Sequence, residues 1–201
     1  MTSSSLNESS YPNWFAICAV KYFTDLLQEF KDKENLHFLQ IGAFTGDASI
    51  WLMKNILTHK SSILTDVDTW HGSDEEAHHS MDFSDVEKTY DWKMMDHSRA
   101  IKCKMNSHKF LMQSDDKEIY DFIYIDGDHT AQAVYKDAML SWKALKPGGI
   151  MAFDDYEWGG ELPLGQQPKQ AIDLFVTLMK DHLELLGVGS QVWIRKRLEA
   201  Y

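Results

Sequence analysis

At 201 residues the chain has room for one domain of ordinary size, which buries roughly 70% of its unfolded surface. An apolar fraction of 44% with 12% aromatics excludes a disordered chain. Lys and Arg total 20 against 31 Asp and Glu, and the net charge of −11 argues against a nucleic-acid partner, because phosphate backbones need a basic face.

Residues 1–11 are polar and Ser-rich and read as a flexible arm, leaving residues 12–201 as a single domain. The opening MTSSSLNESSYP has no basic region followed by an apolar run, so no signal peptide is expected. No run of 18 apolar residues is present to span a membrane, and a cytoplasmic location follows as the expectation. From Pro12 the pattern turns helical, with Phe15, Ala19, Phe23, Leu26, Leu27 and Phe30 on one face. LHFLQIG, residues 36–42, is a short apolar strand that stops at a glycine, and Asp47 to Leu57 suits a buried helix. SILTDVDTW, residues 62–70, is the second strand.

Residues 71–83 have no periodicity and read as a surface loop, with His78 and His79 facing solvent. Ser84 to Glu87 supplies a capping box for a helix through about Met95. Ile101 to Met105 is a short strand, and Ser107 is placed to cap a helix through Leu111. Tyr120 to Ile125 is nearly continuous in apolar character, as in the middle of a parallel sheet. Val134, Ala138, Met139, Trp142 and Leu145 mark a helix face, which Pro147-Gly148-Gly149 breaks before the strand Ile150 to Phe153. A helix with Pro168 in its first turn puts Ala171, Phe175 and Leu178 inward, and residues 183–196 read as a closing hairpin. Cys18 and Cys103 have no metal or redox spacing and are expected as reduced core residues. Strands alternating with helices imply a Rossmann-like, doubly wound α/β sheet of about seven strands, parallel but for a C-terminal antiparallel hairpin. Ligands of such sheets bind at the carboxyl ends of the strands.

Three features at those ends carry chemistry. Gly42 to Gly46 follows a strand and opens a helix, and Gly42 permits a tight turn and close approach of a ligand. The G-x-x-x-G spacing differs from the G-x-G-x-x-G of dinucleotide binders, which disfavours an NAD-dependent oxidoreductase. Asp68 closes the second strand, where a carboxylate can accept both hydroxyls of a ribose; Asp66 is its competitor. Asp126 and the Asp154-Asp155 pair close consecutive strands and can meet in space if the second strand has ended before them.

LHFLQIGAFTGDAS, ILTDVDTW, KMNSHKFL, YDFIYIDGDH and LKPGGIMAFDDY together resemble class I S-adenosylmethionine (SAM) methyltransferases, over residues 36–156 and, with the final helix and hairpin, nearly the whole chain. The resemblance implies that Gly42 and its neighbours Gln40, Ala43 and Phe44 contact the methionine part of SAM. Asp68 would bind the ribose and Ser107 lie near the adenine, with Thr69, His108, Asp126, Gly127 and Asp128 completing the cofactor-binding set. Two positions depart from the family: Gln40 stands for an acid, and Ala48 for the serine of the catechol type.

The nearest subgroups are the metal-dependent O-methyltransferases of the catechol and macrocin (sugar) types. Their metal triad matches Asp126, Asp154 and Asp155, and three carboxylates make a hard site suited to Mg²⁺. His129 falls where the catechol type has a catalytic lysine, and a neutral imidazole there can take a hydroxyl proton. In the macrocin type the first aspartate is given that work, so Asp126 is the rival base. Trp70, His71 and Trp158 are candidates for a lid over a polar acceptor. The resulting expectation is a Mg²⁺-dependent O-methyltransferase acting on a small-molecule or glycan acceptor, a sugar hydroxyl such as that of rhamnose. A catechol or phenol acceptor is the alternative; a SAM-binding partner subunit without turnover is another, and a homodimer is admitted.

Overall fold

The computed structural model describes residues 11–73, 76–113, 118–159 and 162–198. Residues 1–10 of the expected arm lie outside the described residues. The first helix opens with a π-helical turn over Phe15–Ala19, continues as α1 (Val20–Leu26) and ends in a 3₁₀ turn over Gln28–Phe30. Then come β1 (His37–Ile41), α2 (Asp47–Asn55), β2 (Ile63–Asp68), the one-turn α3 (Glu76–His79), α4 (Phe83–Met94) and β3 (Ala100–Lys104). The second half adds α5 (Ser107–Gln113), β4 (Tyr120–Ile125), α6 (Ala131–Ala144), β5 (Leu145–Phe153), α7 (Pro168–Met179), β6 (Leu183–Val188) and β7 (Val192–Lys196). Among the described residues no helix is long and apolar enough to cross a membrane.

The strands form a seven-stranded sheet in the order β3-β2-β1-β4-β5-β7-β6, parallel except for β7. The chain moves outward from β1 to β3 and returns to the other side of β1 with β4. The order therefore reverses between β1 and β4, the place where sheets of this kind bind ligands. Register fixes what meets there. Ile41 is level with Val67 and Ile125, and Ile125 is level with Phe153. The residues that follow, Asp68, Gly42, Asp126 and Asp154, emerge in one row along the carboxyl edge.

Alternation along the central strands divides the core between two helical layers. Phe38, Phe122 and Tyr124 pack with Ala19, Phe23, Leu52, Val86 and Tyr90; Leu39, Ile123 and Ile125 pack with Leu111, Val134, Ala138, Ala171 and Phe175. Phe23 meets Phe122, Tyr124 and Trp193 edge-on, with ring centroids 5.7, 4.9 and 5.2 Å apart. Such pairs add about 0.5–1.5 kcal/mol each beyond simple burial.

Several local expectations are corrected. Asp82, not Ser84, caps α4 by accepting from Ser84 N at 2.9 Å, and Glu87 is drawn away by Lys102 and Lys104. The helix α3 interrupts the expected loop. Strand β5 runs through Pro147-Gly148-Gly149, because Gly148, at φ +82°, and a register shift opposite Tyr120 and Phe122 absorb the irregularity. Leu178 is exposed, the inner face of α7 being completed by Ile172. Cys18 is exposed and Cys103 only half-buried, so neither is a core thiol.

Asp66 of β2 is fully buried, its Oδ2 accepting from the Tyr90 hydroxyl at 2.8 Å. Burial pushes its pKa from 3.8 up to about 7. In that window the folded chain keeps a proton that the unfolded chain releases, so the stability this carboxyl contributes is lost as pH rises through about 7. Asp66→Asn keeps the size and the acceptor for Tyr90 but not the charge. Between about pH 5 and about pH 8 the variant should gain on the wild type by on the order of 2–4 kcal/mol, read as diverging urea midpoints. Parallel midpoints across that range would refute it.

Candidate active site

Gly42 ends β1 with φ +84°, and a Cβ placed there would lie 1.8 Å from the Asp126 carbonyl oxygen. Only a bare backbone lets the two central strand tips touch. The loop that follows is braced from within: Gln40 Nε2 donates to Gly42 O at 2.9 Å, and Ser49 Oγ donates to Gln40 Oε1 at 3.2 Å. Gln40 is buried, so it shapes the loop without lining the cavity. Asp68 holds the loop from the side. Its Oδ2 accepts from Ala43 N at 2.8 Å and Phe44 N at 2.9 Å, and its Oδ1 accepts from Trp70 N at 2.7 Å. A carboxylate has about four lone-pair sites, so Oδ1 retains one for a ligand hydroxyl. Phe44 and Trp70 both adopt left-handed φ, +46° and +48°, a conformation that costs about 1–3 kcal/mol at each non-glycine residue. Asp68 is the anchor that holds both. Trp70 is no lid residue: it is buried against Tyr90, ring centroids 4.9 Å apart.

A cavity of about 510 Å³ opens along this edge, within the range of small-ligand sites. Gly42, Phe44, Asp68, Thr69, Ser107, Gly127 and Asp128 are among its lining residues. Ala43 and His108 do not line it. Ala43 supplies only its N–H to Asp68, and His108 faces Asp137 of α6, Nε2 to Oδ1 3.3 Å. Ser107 opens α5, but the cap is Asn106, whose Oδ1 accepts from Lys109 N at 3.2 Å.

Asp126, His129, Asp154, Asp155 and Trp158 also line the cavity. Asp155 has a left-handed φ of +56°, which breaks strand alternation and brings it to the side of Asp126. His129 Nε2 lies 2.8 Å from Asp155 Oδ2 and 3.8 Å from Asp126 Oδ1. One ligand atom from each of Asp126, His129 and Asp155 falls within 4.8 Å of the others, a group that takes in His129 where the sequence pointed to Asp154. The Asp154 carboxylate accepts from the Tyr124 hydroxyl through Oδ2 and from Asp155 N through Oδ1 at 2.8 Å. Burial, then repulsion from Asp154, pushes the Asp126 carboxyl well above the usual range, with His129 pulling the other way. Burial, then Asp155, raises Asp154. Acids crowded at a half-buried mouth fit a hard divalent cation, which would reverse that repulsion.

Aromatic side chains wall the cavity. Trp14 and Phe15 reach it from the first helix, Phe44 from the glycine loop and Phe83 from α4. Trp158 packs on His129 at 5.3 Å between ring centroids. His78, expected in solvent, lines the cavity and stacks on Phe44 at 6.3 Å, whereas His79 is exposed. Trp14, Cys18, Phe83, Met105 and Asn106 are lining residues that sequence reasoning missed. A signal existed for two of them: Trp14 and Cys18 are four residues apart, the spacing that puts two side chains on one helix face.

Residues 39–156 match the family described as a methyltransferase domain. Among curated proteins none matches the chain. Similar solved structures include an O-methyltransferase from Bacillus cereus in complex with SAH, at 17% identity and TM-score 0.56, covering 80% of this chain and 74% of that one. The MycE methyltransferase of the mycinamycin biosynthetic pathway, in complex with Mg and SAH, gives 14% and 0.56 over 88% of this chain and 49% of its own. The N-methyltransferase NodS from Bradyrhizobium japonicum gives 15% and 0.55 over 92% and 98%. At these identities the likeness speaks for the fold, which serves both oxygen and nitrogen acceptors. With the strand order and the glycine loop already described, the sequence match establishes that the chain belongs to the methyltransferase domain family, on the class I fold of SAM-dependent methyltransferases.

Proposed function

We propose that the chain is a SAM-dependent, divalent-cation-dependent O-methyltransferase acting on a sugar hydroxyl of a small molecule or glycan. The observation that carries this reading is that Asp126, Asp154 and Asp155, with His129 against Asp155, line the same cavity as Gly42 and Asp68. SAM, when bound, would supply an electrophilic methyl to the acceptor oxygen, its C–S bond breaking as the new C–O bond forms and S-adenosylhomocysteine leaving. Asp126, Asp154 and Asp155 would hold a divalent cation, with Mg²⁺ the first candidate, which would supply Lewis acidity toward the acceptor hydroxyl.

The rest falls to the chain's own residues. Asp68 and the loop from Gly42 seat the donor. His129 takes the hydroxyl proton, and Asp155 at 2.8 Å stabilises the imidazolium that results. Trp158, Trp14 and Phe44 exclude water and offer flat apolar faces to the acceptor. Those faces suit the ring of a sugar, and equally that of a catechol, which is kept as the second reading because the same cavity accepts it.

A screen for S-adenosylhomocysteine over nucleotide sugars, free glycosides and catechols tests both readings. Turnover on a sugar, abolished by a chelator and restored by Mg²⁺, is the expected result. Turnover on catechols alone would select the second reading, and turnover unaffected by chelation would remove the cation.

A further inference from the structure

Beneath the acid cluster runs a buried chain of hydrogen bonds whose polarity is fixed from one end. The indole of Trp193 can only donate, and its Nε1 donates to Gln191 Oε1 at 2.8 Å. That sets the Gln191 amide, so Nε2 faces Tyr124 and donates to its hydroxyl at 3.3 Å. With an acceptor site of the phenol taken, its own proton is directed at Asp154 Oδ2. Trp193 and Gln191 are 0% exposed and Tyr124 is 1% exposed, so water does not compete for these bonds. The chain crosses three neighbouring strands, since Tyr124 is level with Ala152 on β5, and Ala152 with Trp193 on β7. A second tie runs from the same hairpin turn: Tyr156 N donates to Ser190 O at 2.9 Å.

A phenylalanine would fill the place of Tyr124 equally well. A buried phenol is tolerated only when its hydroxyl is satisfied, and here both sides of it are spoken for. Asp154 Oδ2 accepts from Tyr124 and Oδ1 from Asp155 N, and the Gln191 side chain also bonds to this carboxylate. With about four lone-pair sites in all, these bonds leave capacity for an ion in the cavity that Asp154 lines. We propose that Tyr124 is a positioning residue: with Gln191 and Trp193 behind it, its hydroxyl sets the Asp154 carboxylate in the orientation that presents that remaining capacity to the cation. The C-terminal hairpin is thereby part of the cation site, although none of its residues reaches the cation. This inference rests on the cation-dependent reading of the site.

The test uses the full chain and Mn²⁺ as the probe, with bound and free ion separated by the electron paramagnetic resonance signal of the free aquo ion. Tyr124→Phe should weaken Mn²⁺ binding by about 10–100-fold, as loss of a partner that orients a ligand does elsewhere. Its SAM affinity by calorimetry should stay close to wild type and its thermal midpoint should fall only by the few degrees that one buried donor left without its partner costs, which a general loss of packing would not allow. Gln191→Leu, which leaves the phenol but removes the amide that reaches both Tyr124 and Asp154, should weaken Mn²⁺ in the same direction. Wild-type Mn²⁺ affinity in Tyr124→Phe overturns the proposal; should that variant fail to fold, wild-type affinity in Gln191→Leu overturns it. A wild-type chain that takes up no Mn²⁺ removes the cation reading itself, and this proposal with it.

Discussion

Asp126→Asn should lower methyl transfer by on the order of 10³-fold or more while leaving the fold and the SAM site in place. The backbone of Asp126 is structural: its N donates to Ile41 O at 2.9 Å and its carbonyl occupies the space that Gly42 leaves free. Asparagine preserves both, along with the volume of the side chain. What it removes is one of the charges facing His129 and Asp155, and with it the cation. Because burial and the neighbouring Asp154 already oppose ionisation of Asp126, the variant should be no less stable than the wild type at neutral pH. The measurements are S-adenosylhomocysteine production, Mn²⁺ uptake and SAM calorimetry on one preparation. Loss of the first two with the third intact is expected; more than a tenth of wild-type turnover would take Asp126 out of the chemistry. His129→Gln separates the two candidate bases. It should lower turnover by about 10²–10⁴-fold and yet keep Mn²⁺ binding within severalfold, since in this reading the imidazole moves a proton and the carboxylates hold the ion.

The parts of this site that were legible in the sequence are those set by local chemistry and by strand ends. Gly42, Asp68, Asp126 and the Asp154-Asp155 pair each follow a short apolar run, and parallel pairing with the observed register brings such tips together. The mostly parallel sheet and its antiparallel hairpin could be read from strands alternating with helices and from Gly187 and Gly189; the strand order could not. What could not be read depends on partners far apart in the chain. Asp68 is largely committed to Ala43, Phe44 and Trp70 N–H groups, a role visible only once β1 and β2 are paired. The Tyr124 and Gln191 contact spans 67 positions, and nothing in YDFIYIDGDH marks its tyrosine as polar in function. Trp14 and Cys18 lie off the apolar face of Phe15, Ala19 and Phe23, and they cover the cavity instead of the core. Two helix starts were misplaced by a residue or two because Asp82 and Asn106 outcompete the serines that follow them, and only geometry decides between adjacent capping residues.

Gly42→Ala should be the most damaging substitution of a single methyl group on this edge, costing about 3–5 kcal/mol of stability and the SAM site together. Two causes combine. The backbone there holds φ +84°, which an alanine adopts only under strain. The added Cβ would meet Asp126 O at 1.8 Å, Asp126 C at 2.5 Å and Gly127 Cα at 3.0 Å, all backbone atoms that no rotamer change can move. Relief requires parting the tips of β1 and β4, and those tips carry the glycine loop on one side and Asp126 on the other. Donor affinity and turnover should therefore fall with stability. Two controls separate strain from crowding. Gly46 also has a positive φ, +82°, but its nearest obstacle is the Tyr90 ring at 3.0 Å, far less of an overlap than the 1.8 Å at Gly42, so Gly46→Ala should cost less. Gly165 has nothing within 4 Å and no positive φ, so Gly165→Ala should be nearly neutral. Denaturant midpoints should rank the variants in that order, with SAM calorimetry falling away at Gly42→Ala. A Gly42→Ala chain within about 1 kcal/mol of Gly165→Ala would mean that the two central strand tips do not approach as closely as this site requires.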